Sequence, residues 1–392
     1  MSCVALRDVP DATLNGFTKR LRPRSANVVV PEYARYCFRA PSFRQAVTAM
    51  SSLSTRASLN NEMLSRLSIL LPPPEQQAAI GRILGTLDDK IELNRRMCET
   101  LEAMARALFE SWFVNFDPAR AKAEGRDPGL PKPLANLFPT RLVDSELGEI
   151  PEGWSVDSIY AIADVIYGAP FSSSHFNTEQ LGMPLIRIRD LTNESPVVWT
   201  PKVHPKGYKV KPGDIVVGMD GEFRAYLWGG DEAWLNQRVC VFAPKAAYSA
   251  AFVRNSIFEP LAHIETTETA TTVIHLGKIH LGKSDIDRFS LVVPSAGVLG
   301  AFNQCCQLWY DRIVAAKRES RTLAALRDTL LPKLISGELR VAAAEKILEN
   351  TQYDRSGQPP TYRKSPGAQL PCAQRCLARA DDTADGAAWT ER

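Results

Sequence analysis

The sequence predicts an α+β chain in which mixed α/β globular segments are joined by two long, coiled-coil-like helices. Three observations predict it: a heptad seam that follows a proline run, a later segment that aligns with the first without a gap, and a strand-rich stretch between the two. Pro72 to Pro74 end whatever precedes them, and Glu75, Gln76 and Gln77 suit a first helical turn. Apolar positions then step by four and three through Ile80, Leu84, Leu87, Ile91, Cys98, Leu101, Ala105, Leu108 and Trp112, with Asn94 occupying one step. At roughly 1.5 Å per residue, a helix from Glu75 to Phe113 is a rod on the order of 55 to 60 Å long, more than a small domain needs.

The second segment, Ser295 to Leu334, lies 222 residues downstream, the distance from Pro72 to Pro294. Identical pairs at that offset include Arg66 with Arg288, Ser68 with Ser290, Ile91 with Ile313, Arg96 with Arg318, Leu101 with Leu323 and Leu108 with Leu330. Proline cannot continue a helix, so this copy is expected to stop at Leu331-Pro332, with Gly337 just beyond. Two seams on one chain can pair with each other, parallel or antiparallel, or accept partner helices; two unrelated helices of an ordinary bundle are the plainer alternative. Asn94 in the seam either fixes helix register or lies at a partly wet edge.

The bulk properties exclude more than they assign. The chain has 392 residues, 45% apolar and 23% charged, ordinary values that suggest two or three domains. A formal charge of +3 permits nucleic-acid binding without demanding it, so any basic surface is local. The eight cysteines show no zinc spacing and read as those of a reduced, cytoplasmic protein. Met1 to Val30 carries aspartates and arginines instead of an apolar core, and no apolar run approaches ~20 residues, so neither a signal peptide nor a membrane span is expected.

Taken in order, residues 1–73 read as the end of a domain: an apolar run at Val28 to Val30, Tyr33 to Met50 helical in its second part, a Ser/Thr/Asn stretch at Ser51 to Asn61, and an extended run at Leu67 to Leu71. Similar events recur before the second helix, at Val241 to Pro244, Tyr248 to Leu261 and Phe289 to Val293. The first helix occupies residues 74–115. Residues 116–153 read as a linker because Pro118, Pro128, Pro131, Pro133 and Pro151 recur too often for regular structure. Residues 154–294 are strand-rich. There, Leu185 to Arg189 alternates apolar and basic side chains, which predicts a strand with Arg187 and Arg189 on one face, and Gly213 to Gly218 reads as a turn into a short buried strand. The second helix fills residues 295–340. Residues 341–392 are expected to be a disordered tail, although Ala342 to Leu348 could prolong a helix.

These features, in this order, resemble the specificity subunits of type I restriction-modification systems. The resemblance rests on the extended runs ending in proline at Leu70 to Pro74 and Val292 to Pro294, and on Gln77 near the start of the long helix. It rests further on SWFVNFDPARAKAEGR at Ser111 to Arg126, LFPTRLVDSELGEIPEGW at Leu137 to Trp154, and KPGDIVVG at Lys211 to Gly218. It spans about Val28 to Val341, and the linker text is its most specific part. It implies target-recognition domains joined by two antiparallel helices. Each domain reads half of a bipartite double-stranded DNA target, and the helices set the spacing and dock modification methyltransferase subunits, two of them, with a restriction/translocase subunit able to join. It also implies a non-catalytic chain without a cofactor or metal of its own; S-adenosylmethionine, ATP and Mg would belong to the partners. One departure is large: at the 222-residue offset the counterpart of Asp144 to Glu222 is missing from the first domain, which reads as truncated, so at most the half-site served by Trp154 to Val293 is expected to be read.

Sequence readout needs Arg, Lys, Asn or Gln at base edges, and affinity needs cations on phosphates. The candidates are Ser172, Ser173, His175, Asn177, Arg187, Arg189, Lys202, Lys206, Tyr208, Lys209 and Arg224, each of which could equally be a solvated or locally paired side chain. The candidate helix-seam and subunit-interface residues are Ile80, Leu84, Leu87, Ile91, Leu101, Leu108, Ile313, Leu323 and Leu330. A rival enzymatic reading comes from Gly277 to Ser284, GKIHLGKS, which fits the phosphate-loop pattern of a nucleotide-binding ATPase. Against it stand the bulky Ile279, His280 and Leu281 and an extended run, where a helix should follow. A remnant of a specificity subunit without function shares every feature. No methyltransferase motif and no clustered metal ligands are present, His275 and His280 lacking a nearby cysteine.

Overall fold

A computed structural model describes residue 21 and residues 28–51, 61–221, 223–271 and 280–356. Expectations for residues 1–20 and 22–27, for most of Ser51 to Asn61, for His275 and Lys278, and for residues 357–392 lie outside the described residues. In chain order the helices are α1 (Pro31–Cys37), α2 (Pro41–Ser51), α3 (Asn61–Ser65), α4 (Pro74–Phe109), α5 (Asp117–Ala123), α6 (Lys132–Ala135), α7 (Ile159–Ile162), α8 (Ala250–Ser256), α9 (Phe258–Thr271), α10 (Lys283–Ile286), α11 (Ala296–Ser336) and α12 (Val341–Ser356). The strands are β1 (Leu142–Ser145), β2 (Gly148–Pro151), β3 (Ser155–Ser158), β4 (Ala163–Tyr167), β5 (Met183–Ile186), β6 (Trp199–Thr200), β7 (Lys209–Val210), β8 (Ile215–Gly218), β9 (Ala225–Leu227), β10 (Ala233–Leu235), β11 (Val239–Pro244) and β12 (Ser290–Val293). The fold is therefore α+β with two long helices. Among the described residues no helix is long and apolar enough to cross a membrane.

The chain divides into two compact units, one holding the described residues up to Arg95 and from Glu319 onward, the other Arg96–Arg318. In the first unit, α4 and α11 run antiparallel, since Asp88 meets Arg327 and Asn94 meets Ser320. Ile80, Leu84, Leu87, Leu323 and Leu330 are buried in its core, with Ile91 packed against them. Each such leucine is worth about 2–5 kcal/mol against alanine. Helix α1 adds Tyr33, Tyr36 and Cys37 to that core, and Gly81 permits the approach, because a Cβ there would lie 2.7 Å from Glu32 Cβ.

A buried ion-pair cluster holds three helices of this unit together. Asp88 takes a 2.6 Å contact from Arg327 and a 2.8 Å hydrogen bond from the Tyr36 hydroxyl, with Arg35 at 3.2 Å. Burial pushes the Asp88 carboxyl up, but the hydrogen bonds from Arg327 and Tyr36, with the charges of Arg327 and Arg35, outweigh it and hold the carboxyl below its ordinary value. Gln77, buried to 1% exposure, accepts from Val30 N–H at 2.9 Å and donates to the carbonyls of Val28 and Pro72. The amide thus clasps the chain on both sides of α1–α3 to the start of α4.

Helix α11 does not stop at Leu331. Pro332 lies inside it, and the helix runs on to Ser336, where Gly337 takes φ +78 and donates its N–H to Leu334 O. An interior proline costs ~3 kcal/mol or more. Burial of Leu330, Leu331, Leu334 and Ile335 on both sides of it offsets that cost. Helix α12 follows directly, with Ala344 buried in the same core, so residues 341–356 are helical.

The second unit is built on two four-stranded sheets, ordered β6-β5-β10-β7 and β4-β11-β8-β9, with the small pairs β1-β2 and β12-β3. The segment 116–153 is not a structureless linker. Pro118 and Pro133 occupy first turns of α5 and α6, where a missing N–H costs nothing, and β1-β2 is a hairpin. Its aromatic residues enter the core: Phe113, Phe116, Phe138 and Trp154 pack with Phe109, Trp112, Phe252 and Phe302. Helix α4 passes into this core through a π turn, Glu110–Val114, closed by Asn115 N–H to Glu110 O at 2.8 Å. In this unit too the long helices run antiparallel, Cys98 facing Ile313 and Phe109 facing Phe302. Ile313 is buried there, and Leu101 and Leu108 pack against the same core.

Candidate nucleic-acid interface

The sheet β6-β5-β10-β7 joins residues that are far apart in sequence. Trp234 of β10 lies opposite Leu185 of β5 on one side and Lys209 of β7 on the other. Beside it opens a cleft of about 420 Å³ lined by Met183, Thr200, Lys202, Val203, Lys209 and Glu232, among others, with Trp234 as its aromatic wall. The Lys209 ammonium stands 5.4 Å from the Trp234 ring centroid, a cation–π distance. Lys202, Lys206 and Lys209 are exposed, and among the described residues none of them is in a salt bridge. The edge of this sheet thus combines an aromatic face with three unneutralised cations.

The other candidates divide by what already holds them. Ser172, Ser173 and His175 lie on an exposed 3₁₀ turn, Ser173–His175, where Ser172 and Ser174 share a 2.7 Å hydrogen bond. Arg189 and Arg224 are exposed. Asn177 is committed internally: its amide donates to the carbonyls of Leu181 and Trp199 and accepts from Leu181 N–H. Tyr208 donates to Asp214 at 3.1 Å, and burial, then the Asp214 charge and hydrogen bond, push its hydroxyl up to about 12. Burial likewise raises the Asp214 carboxyl, against hydrogen bonds from Lys211 N–H and Tyr208.

Arg187 and Arg189 do not share a strand face. Strand β5 ends at Ile186 and a 3₁₀ turn spans Ile188–Asp190, because the Asp190 carboxylate accepts both the backbone N–H and the Nε–H of Arg187 at 3.0 and 3.2 Å. A buried carboxylate three residues ahead of the alternation competes with the sheet ladder and wins. Trp234 carried no local signal: only the parallel pairing of β10 with β5 and its antiparallel pairing with β7 bring it to the lysines.

The phosphate-loop match finds no support. Gly277 to Ile279 lie outside the described residues, but Gly282 N–H donates to the Asp285 carboxylate at 2.9 Å, and α10 is a single turn leading into β12. An acidic side chain holds the N–H that a phosphate would need.

Comparison with known proteins bears on the chain as a whole. The profile of the type I restriction modification DNA specificity domain matches residues 2–103. The type I restriction enzyme HindI specificity subunit of Haemophilus influenzae is 26% identical over 368 residues, covering 80% of this chain and 79% of its own length. The chain belongs to the type I restriction-modification specificity-subunit family. A second specificity subunit, MjaIX of Methanocaldococcus jannaschii, is 26% identical over 351 residues, covering 86% of this chain and 75% of its own. That of EcoBI from Escherichia coli reaches 37% over 128 residues, 32% of this chain and 27% of its own. Among solved structures, the S subunit from M. genitalium is similar at 15% identity and a TM-score of 0.45, over 80% of this specificity subunit and 74% of that chain, a likeness too loose to argue from.

Proposed function

We propose that this specificity subunit is the non-catalytic, DNA-reading and scaffolding member of a type I restriction-modification complex. In this reading, the region Trp154 to Val293 reads one half of a bipartite double-stranded target. The phosphate-contacting set is Lys202, Lys206 and Lys209 with Arg189 and Arg224, and Ser172, Ser173 and His175 sit on an exposed turn within reach of a groove. Asn177, Arg187 and Tyr208 hold the fold of that region, since their polar atoms are already used internally. The antiparallel helices α4 and α11, with the seam from Ile80 to Leu108 and from Ile313 to Leu330, are the scaffold to which two modification methyltransferase subunits bind, and a restriction/translocase subunit joins them. S-adenosylmethionine, ATP and Mg belong to those partners.

The observation that carries the reading is the cleft beside Trp234 with its three unpaired lysines, in a chain of this family. The test is co-expression with the cognate methyltransferase, sizing of the complex, and sequencing of DNA for modified adenines. A stable complex that methylates one defined motif is expected. Lys209→Ala should weaken DNA binding about equally for all sequences and reduce the salt slope of log Kobs by about 1. A chain that purifies without methyltransferase, or a lysine variant with unchanged salt dependence, overturns the reading.

A further inference from the structure

At the 222-residue offset, Ser68 to Leu71 is the counterpart of β12, flanked by the identical pairs Arg66 with Arg288 and Pro72 with Pro294. In the second copy that element is fully paired. Strand β12 runs antiparallel to β3, with Ser290 opposite Ser158, Leu291 opposite Asp157, Val292 opposite Val156 and Val293 opposite Ser155. Ile159 N–H adds a 2.9 Å bond to Phe289 O, and Val156, Val292 and Val293 pack against the core.

In the first copy the same segment is anchored from one side only. Ile69 packs against the core of the first unit, and Leu70 O accepts from the Tyr33 hydroxyl at 2.8 Å. Residues 67–73 carry no ladder pairing. Leu70 and Leu71 are 57% and 42% exposed, whereas their counterparts Val292 and Val293 are half-buried. By the same offset, the counterpart of β3 falls outside the residues of this chain. An extended, apolar, unpaired edge is a template for strand addition.

We propose that Ser68 to Leu71 accepts a strand from a separate polypeptide carrying the amino-terminal half of a recognition domain, the part equivalent to Asp144 to Glu222, and that the added strand takes the register β3 takes on β12. The occupant follows from the repeat: within this chain, the equivalent edge is filled by such a strand in a defined register. A second copy of the chain is a poorer occupant, because its own β3 is already engaged by its own β12. The name "recognition domain" rests on the proposed function, but the open edge does not.

The test uses the full chain with residues 137–222 of this same sequence as a tagged, co-expressed probe. Capture of the chain is expected, with amide exchange at Ser68 to Leu71 slowed at least tenfold, and with Leu70→Lys, at an exposed position, abolishing both. A second arm fuses residues 137–222 ahead of Met1 through a flexible linker, which makes the encounter intramolecular. There Leu70→Cys should form a disulfide with Val156→Cys of the fused copy and not with Ser158→Cys. Absence of capture together with absence of the in-register disulfide overturns the proposal, and so does capture indifferent to Leu70→Lys. A dimer of the chain alone that Leu70→Lys dissolves assigns the edge to a second copy and overturns the stated occupant. Loss of DNA binding with strand capture intact would sink the proposed function and leave this edge standing; the reverse outcome removes only the edge.

Discussion

Two buried polar side chains decide how the short amino-terminal helices are held. Gln77 satisfies one N–H and two carbonyl groups from segments on both sides of α1–α3. Gln77→Ala leaves them without partners and should cost about 1–3 kcal/mol, read as a lower urea midpoint at unchanged slope. Asp88 works by charge. Its carboxyl sits below the ordinary value in the folded chain, so the stability it contributes is complete above the unfolded-state pKa of about 3.9 and is lost as pH falls through the lower folded-state pKa. Stability measured between pH 5 and 2 should therefore fall less steeply in Asp88→Asn than in the parent, and an unchanged slope would count against the cluster. Gln77 was visible in the sequence as a family feature and Asp88 was not, because its partners Arg327 and Tyr36 lie 239 and 52 residues away.

At the scale of elements, Asn94 is buried to 1% exposure, and its amide donates to Glu319 at 3.0 Å and Ser320 at 3.3 Å across the seam. Of the two readings open in the sequence, this geometry favours register over a wet edge. Asn94→Leu should raise stability by about 1 kcal/mol while loosening register, since a polar seam position specifies alignment at a cost. Cysteine pairs placed one heptad out of register across α4 and α11 should then cross-link in the variant and not in the parent. Periodicity located both long helices because a seam of leucines and isoleucines repeats in sequence as it does in space. Proline was read less well. Pro118 and Pro133 begin helices, and Pro332 is carried inside one, because a proline's effect depends on which N–H it removes and what is buried around it.

The molecule has two compact units whose cores share no residue: one around Leu84 and Leu330, one around Phe113 and Phe302. Perturbing one core should therefore leave the other's deepest protection intact. Arg327→Met, which leaves Asp88 buried with Arg35 as its remaining cation, should cost about 3 kcal/mol. It should speed amide exchange in residues 80–91 and 323–335 while sparing Val239–Phe242 and Ile215–Gly218 in the paired strands β11 and β8. Uniform loss of protection would refute that separation.

By itself, the sequence determined what depends on local period and on repetition: the α+β class, the two long helices, the repeat, and the family carried by the linker text. It also placed the segment where the candidate interface lies. Only the tertiary structure decided which side chains of that segment are available. Asn177, Arg187 and Tyr208 are taken up by Leu181, Asp190 and Asp214, while Trp234 is brought to Lys202 and Lys209 by pairings between distant strands. The physical reason is that hydrogen-bond partnership and burial belong to spatial neighbours. A sequence lists donors and charges, and only the packed chain determines which of them are already satisfied.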